Sequence, residues 1–169
     1  MVNHHPTLRA ACAALAILSG LSLCASARAE SFHERWIASA TDCFARRYDA
    51  KHLASHPKQR LTQFSLREST LGNPAEAGYF PVSFSFKLKG DPELFQAEAS
   101  CKDAVGKVHC EIEADGGEFF IEAQGSNLLL TIDRMEIEGP QDFSPDLAQG
   151  GDDRAVRLFP SPKSSCPAV

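Results

Sequence analysis

The sequence predicts a mainly β fold, in which an N-terminal helix is followed by an antiparallel meander of about seven strands. Three observations predict it. Apolar and polar residues alternate along successive segments, which is the period of strands that bury one face. Residues that favour turns separate these segments at short intervals. Strands with one apolar face must close on themselves or be covered, so we expect a small barrel or a strongly curved sheet, with a sandwich as the alternative.

A single helix is predicted from Ser31 to about residue 52 or 53. Ser31 and Glu34 have the spacing of a capping box, which satisfies backbone N–H groups at the start of a helix. The apolar residues that follow recur at helical spacing: Phe32, Trp36, Ala40, Phe44 and Tyr48. Pro57 then stops the helix, because proline disfavours helical geometry in the residue before it.

The clearest strand covers residues 80–89, where every second residue is large and apolar. The next strand, residues 95–102, carries small alanines that can lie opposite those phenylalanines. The other expected strands are residues 61–66, 108–114, 119–123, 128–137 and 155–159. The alternation slips near Asp133, which predicts a β-bulge. Residues 139–153 form the one long loop, and loops of this length are usually functional or mobile.

Four cysteines follow the first 29 residues: Cys43, Cys101, Cys110 and Cys166. An even number in an exported domain predicts two disulfides, for which three connectivities exist. If Val105 and Gly106 form a two-residue turn, Cys101 lies opposite Cys110, within disulfide reach. Cys43–Cys166 would then tie the N-terminal segment to the C-terminal tail. A zinc site is the rival, but the cysteines lack the close pairing that zinc sites use.

The first 29 residues have the pattern of a secretory signal peptide. An apolar run at residues 10–23 follows a basic residue, and Ala27-Arg28-Ala29 provides small residues before cleavage at Glu30. The run is too short to span a bilayer. A leucine precedes Cys24 where a lipoprotein site needs a small residue, so we expect no lipid anchor. These features predict one disulfide-tied domain over residues 30–169, in the periplasm, with no integral membrane segment.

The charge balance bears on partners. The signal segment holds two basic residues and no acidic one, so the remainder carries 15 lysines and arginines against 22 acidic residues. This argues against nucleic acid or an anionic membrane as the main partner. The basic residues concentrate in residues 30–60. We favour a basic helix docked on an acidic body, with two faces for two partners as the alternative.

Two patterns are weak candidates for metal binding. His109, Glu111 and Glu113 alternate along one strand face, a spacing that can hold a hard or borderline cation. His52 and His56 are four residues apart, as in zinc proteases, but the glutamate that serves those enzymes as general base is replaced by leucine. A solvated strand face and a polar helix end are the interpretations we favour, so no metal is expected.

No pattern of an enzyme is complete. The chain has no phosphate-binding or dinucleotide fingerprint and no Gly-x-Ser-x-Gly elbow, so neither a cofactor nor a serine nucleophile is indicated. Disulfide-bonded cysteines provide no thiol nucleophile. The rival is an envelope hydrolase that uses two outer-face carboxylates, and these are the candidates: Glu98, Glu111, Glu113, Glu118 and Glu122.

Two segments, residues 43–57 with Tyr48-Asp49-Ala50-Lys51-His52 and residues 110–117 with Asp115-Gly116-Gly117, resemble a group of small exported bacterial proteins of uncharacterised function. The resemblance implies no activity and no functional residue, and it supports an envelope location in a Gram-negative bacterium. We therefore expect a non-enzymatic binding or protein-interaction module of the periplasm. A carrier of a small apolar ligand in the barrel is the second alternative to the hydrolase. Eleven phenylalanines indicate a filled barrel, which favours a protein partner.

Overall fold

The computed structural model describes residues 30–38, 43–69, 77–104 and 106–167. Within them, eight antiparallel strands form a closed barrel in chain order, and the last strand returns to the first. The strands are β1 (Cys43–Arg47), β2 (Leu61–Glu68), β3 (Tyr79–Leu88), β4 (Phe95–Ala104), β5 (Lys107–Ile112), β6 (Gly117–Gln124), β7 (Asn127–Met135) and β8 (Ala155–Pro160). Helix α1 (Phe32–Trp36) precedes β1, helix α2 (Ala50–Ser55) follows it, and a 3-10 helix (Lys163–Ser165) follows β8. The predicted mainly β meander is confirmed, whereas the predicted signal peptide lies outside the described residues.

The prediction of one helix up to residue 52 or 53 was wrong. The capping box exists, since the Ser31 Oγ accepts from the Glu34 N–H at 3.1 Å, but α1 ends at Trp36. Residues 43–47, predicted as helix, form strand β1 of the barrel wall, so the basic segment is not one helix docked on the barrel. Pairing of β1 with β2 over five residues buries Phe44 in the core, and this tertiary gain overrides the local helical pattern.

The barrel interior is filled by side chains. The largest fully buried side chains are Phe64, Phe84, Phe86, Phe119, Ile37, Leu61, Leu66, Ile121, Leu128, Leu130, Ile132 and Met135. The predicted complementarity of the third and fourth strands is confirmed, because Phe84 lies opposite Ala97. Phe84 also packs edge-on against Phe119, with ring centroids 5.5 Å apart. An interior of this kind holds the barrel together by apolar burial.

One of the two register shifts between the described strands falls at the predicted position, and the other, between Leu61 and Gln63 of β2, was not predicted. The pairing of β6 with β7 skips Asp133, because Glu118 lies opposite Arg134 and Phe119 lies opposite Ile132. This is the β-bulge predicted from the slip in alternation. The tight turn before β6 needs Gly117, whose φ is 108° and whose missing Cβ would overlap the Arg134 backbone.

Both predicted disulfides are present. Cys101 and Cys110 are opposite residues of β4 and β5, 4.0 Å apart at Cα, and both are fully buried. Of the turn that joins these strands, Val105 lies outside the described residues. Cys43–Cys166 joins the first residue of β1 to the C-terminal tail, 123 positions further along the chain.

One end of the barrel is covered by α1. Ile37 is fully buried, and Phe32 and Trp36 pack against the core. The His33 ring stacks on Phe80 with centroids 4.4 Å apart. This end is therefore closed by apolar and aromatic contacts between α1 and the strand ends.

The chain between β7 and β8 covers the other end. Ile137 and Leu147 are buried in the core. The buried Asp153 carboxylate accepts hydrogen bonds from the backbone N–H groups of Arg60 and Leu61, each at 2.9 Å, and from the Arg60 Nε at 2.8 Å. Much of the loop predicted at residues 139–153 is thus fixed to the start of β2. Among the described helices, none is long and apolar enough to cross a membrane.

Candidate functional site

The barrel is least complete where β1 meets β8, a boundary that we call the seam. These strands pair at only two positions, Phe44↔Pro160 and Ala45↔Phe159. Beyond Ala45, β1 follows β2 and α2 begins, so the two strands diverge. A groove of about 380 Å³ opens there, and we call it the seam groove. It is lined by Arg46, Tyr48, His52, His56, Gln59, Leu129, Asp152, Ala155, Arg157 and Phe159.

A column of stacked side chains forms one wall of the seam groove. The Arg46 guanidinium lies between two rings, 5.1 Å from the centroid of Phe159 and 4.8 Å from that of Tyr48. The His52 ring stacks on Tyr48 at 4.7 Å, and the His56 ring stacks on His52 at 4.1 Å. Guanidinium groups are attracted to aromatic faces, so the column holds Arg46 across the seam where the strand pairing stops.

The local sequence explains how the column is built. Asp49 caps α2, because its Oδ1 accepts from the His52 N–H at 2.7 Å. Residues four apart lie on one face of a helix, which places His56 over His52. Tyr48 stands just before the cap, and its N–H donates to the Thr62 carbonyl at 2.9 Å, which fixes it to β2.

Hydrogen bonds fix both histidines. The buried Gln59 donates from its Nε2 to the Leu61 carbonyl, so its Oε1 accepts from the His52 Nε2 at 2.8 Å. The His56 Nδ1 donates to the His52 carbonyl at 3.0 Å. Each ring therefore has one nitrogen used as a donor within the protein, and its orientation in the groove is set.

The seam groove carries more cationic than anionic groups. Arg46 and Arg157 line it together with the two histidines, and Asp152 is the carboxylate among its lining residues. Burial raises the pKa of Tyr48, an effect that the Arg46 charge partly offsets. Tyr48 therefore stays a neutral phenol at physiological pH. The two guanidinium groups of the groove suit an anionic ligand group.

The histidine pair does not have the geometry of a metal site. The two rings are nearly parallel, 13° apart, so their in-plane lone pairs do not converge on one ion. Across the described ranges, no three His, Cys, Asp or Glu side chains come together in a way that could hold a metal. His52 and His56 are instead two members of the stacked column.

The predicted row of His109, Glu111 and Glu113 lies on β5 and its following turn, away from the seam. Ser100 lies opposite Glu111. The His109 Nε2 lies 2.6 Å from a Glu118 carboxylate oxygen, and the His109 ring stacks on Phe120 at 4.9 Å. The imidazole thus pairs with Glu118 of β6, a partner that the sequence did not indicate.

The carboxylates considered for hydrolysis lie on β4, β5 and β6 and in the turn after β5. Glu98 accepts from Ser69 and Ser83, and Glu118 pairs with His109. Glu111, Glu113 and Glu122 are exposed. Glu98 and Glu113 do share a second groove with Glu136, Glu138 and the exposed Phe143.

The sequence pattern does not predict the opening between β1 and β8. It found His52 and His56 by their spacing but placed them at the end of a long helix. Arg46 lies within the segment predicted as helix, and the sequence pattern does not single out Arg157. One signal was present: Asp49 is a strong cap residue three positions before His52, and it marks a second helix start that the apolar periodicity concealed.

Comparisons with protein-family models, with curated proteins and with solved structures each gave no match to this chain.

Proposed function

We propose that this protein is a non-enzymatic binding module of the bacterial periplasm, and that its seam groove holds an acidic segment of another envelope protein. The observation that carries the proposal is the stacked column beside residues 155–158 of β8, which have no β1 residue opposite them. Cationic and aromatic side chains held rigidly at low entropic cost are typical of protein-binding surfaces.

Two further features support this proposal over the alternatives. Phe64, Phe84 and Phe119 are fully buried inside the barrel, where an apolar ligand would have to lie. Among the carboxylates considered for hydrolysis, Glu98 accepts from two serine hydroxyls and Glu118 pairs with His109. The pattern of residues 1–29 and the two disulfides support export to an oxidising compartment.

Capture from envelope extract tests the proposal. The exported protein is immobilised, and bound proteins are identified for wild type, Arg157→Glu and Lys163→Glu. Arg157 lines the seam groove, whereas Lys163 is an exposed lysine of the 3-10 helix and serves as the matched control. We expect a partner that wild type and Lys163→Glu retain and Arg157→Glu loses, because reversing a charge in the binding surface repels an acidic segment. Equal capture by all three proteins would contradict the proposal.

A further inference from the structure

The backbone of β8 has a free edge along the seam groove. The Ser161 N–H donates to the Cys43 carbonyl at 2.8 Å, so the backbone groups of Ser161 face β1. Successive residues of a strand direct these groups alternately to either side, so those of Phe159, Arg157 and Ala155 also face β1. Pairing with β1 stops at Phe159. The N–H and C=O groups of Arg157 and Ala155 therefore face the groove with no β1 residue opposite.

The other side of β8 gives an independent check of this alternation. The Ile132 N–H donates to the Arg154 carbonyl at 2.8 Å, so Arg154 faces β7. Val156 and Leu158 then face β7 as well, in agreement with the pairing of residues 155–158 with β7. Arg157 and Ala155 have exposed side chains on the outer face, opposite to the buried Val156 and Leu158. β8 is thus an edge strand over the part of its length that borders the groove.

We infer that an extended acidic segment of a partner protein binds in the seam groove as an additional β-strand on this edge; the inference rests on the proposed function. An exposed strand edge is a template for another strand, and main-chain hydrogen bonds then supply affinity. The charge of the groove favours an acidic occupant, because Arg46 and Arg157 border the edge and Asp152 is the one carboxylate among the lining residues.

The same charges disfavour a second copy of this chain. Pairing two β8 edges would bring the Arg157 side chains of both copies, and the adjoining Arg46 side chains, to one interface. Like charges on neighbouring strands destabilise their pairing. The groove also matches a short segment, since the unpaired stretch covers only residues 155–158.

The test uses a fluorescein-labelled hexapeptide of alternating glutamate and valine and follows its fluorescence anisotropy with the full exported protein. We expect saturable binding. An analogue with lysine for glutamate, and one with N-methyl groups on alternate residues, should each bind about tenfold more weakly, because the first loses charge complementarity and the second loses main-chain donors.

Variants at the first residue of β8 test the same bonds from the protein side. Ala155→Pro removes an N–H that faces the groove and not β7, at a strand position where proline is tolerated. We expect Ala155→Pro to bind the acidic hexapeptide about tenfold more weakly than Ala155→Ser, which keeps the N–H. The N-methylated peptide gives the same information without altering the fold.

Three results would overturn strand addition. Unchanged binding after both N-methylation and Ala155→Pro would show that the groove holds the peptide by side chains only, and the proposed function would survive. No saturable binding of the acidic hexapeptide would mean that the charges only protect the edge from other strands. Self-association that Ala155→Pro abolishes would make a second copy the occupant. Failure of the proposed function itself is distinct, since it appears as envelope capture that is insensitive to Arg157→Glu.

Discussion

The boundary between β3 and β4 and the seam between β1 and β8 differ in how their strands are connected. β3 and β4 are consecutive and pair at eight positions, from Tyr79↔Lys102 to Phe86↔Phe95. β1 and β8 come from opposite ends of the domain and pair at two. A short connection fixes the register of a hairpin over its whole length, whereas closure between distant strands depends on tertiary contacts.

The contacts that close the seam lie at one end of it. Cys43 is bonded to Cys166, and its carbonyl accepts from the Ser161 N–H. At the other end the capped helix α2 leads the chain away from β8. The strands therefore pair along most of their length where a hairpin connects them, and β1 and β8, which no hairpin connects, separate along part of theirs. The candidate site lies at the end of the seam where β1 and β8 separate.

The largest effect is expected in the hairpin wall. Phe84 is fully buried and contacts the Phe64 and Phe119 rings. Phe84→Ala should lower the free energy of unfolding by about 3–5 kcal/mol, because it leaves a cavity that the surrounding strands cannot fill. Urea denaturation measures this.

Ser85→Ala on the outer face of the same strand is the control. Ser85 is also buried, but its hydroxyl makes one hydrogen bond, to Ser65 at 2.7 Å, so the expected loss is about 1 kcal/mol. Equal losses for Phe84→Ala and Ser85→Ala would contradict the assignment of the barrel interior.

A smaller loss of stability is expected when the Cys43–Cys166 disulfide at the closed end of the seam is removed. Cys43→Ser opens a loop of 123 positions and should lower the free energy of unfolding by about 2–5 kcal/mol. Lys163→Ala, an exposed substitution in the adjacent tail, should change it by less than about 0.5 kcal/mol. Thermal melts of both variants measure the difference, and similar melting temperatures would show that the disulfide does not hold the seam.

Removing the buried Asp153 carboxylate, which fixes the chain between β7 and β8, should have the next largest effect on stability. Asp153→Ala removes an acceptor from two backbone N–H groups and from the Arg60 guanidinium, and should lower the free energy of unfolding by about 2–3 kcal/mol. Asp152→Ala, next to it in sequence but exposed, should be nearly neutral. Equal melting temperatures for Asp153→Ala and Asp152→Ala would show that the buried carboxylate does not fix this end of the barrel.

The smallest effect depends on pH. Burial alone would raise the pKa of Asp146, but hydrogen bonds from the Met135 and Ala148 N–H groups, aided by Gln149 and Arg134, hold that pKa below its usual value. A lowered pKa means that the carboxylate stabilises the fold at pH values above its unfolded pKa, and that this stabilisation is lost as pH falls through the folded pKa.

Asp146→Asn should therefore lower the melting temperature near about pH 7, by less than the Asp153 variant does, and the difference from wild type should vanish below the folded pKa. Melting curves recorded from neutral to strongly acidic pH measure this. A difference that persists in acid would mean that the carboxylate charge is not what stabilises the loop.

The sequence predicts the hairpin part of the barrel well, for a physical reason. Alternation reports which face of a strand is buried, and short turns bring neighbours together, so the Cys101–Cys110 pairing and the bulge at Asp133 follow from local pattern. The site lies where local pattern gives no such information. Residues 43–47 are a strand only because β2 and β8 pair with them, and the spacing of Trp36, Phe44 and Tyr48 imitates a helix.

Hydrogen exchange of the β8 backbone amides tests the central claim, that the seam is open beside a free strand edge. We expect the Ala155 and Arg157 amides to exchange rapidly, because no partner accepts from them. The Val156 and Leu158 amides should exchange slowly, because they donate to β7. Slow exchange at all four amides would mean that β1 closes the barrel along the whole of β8, and would contradict the account.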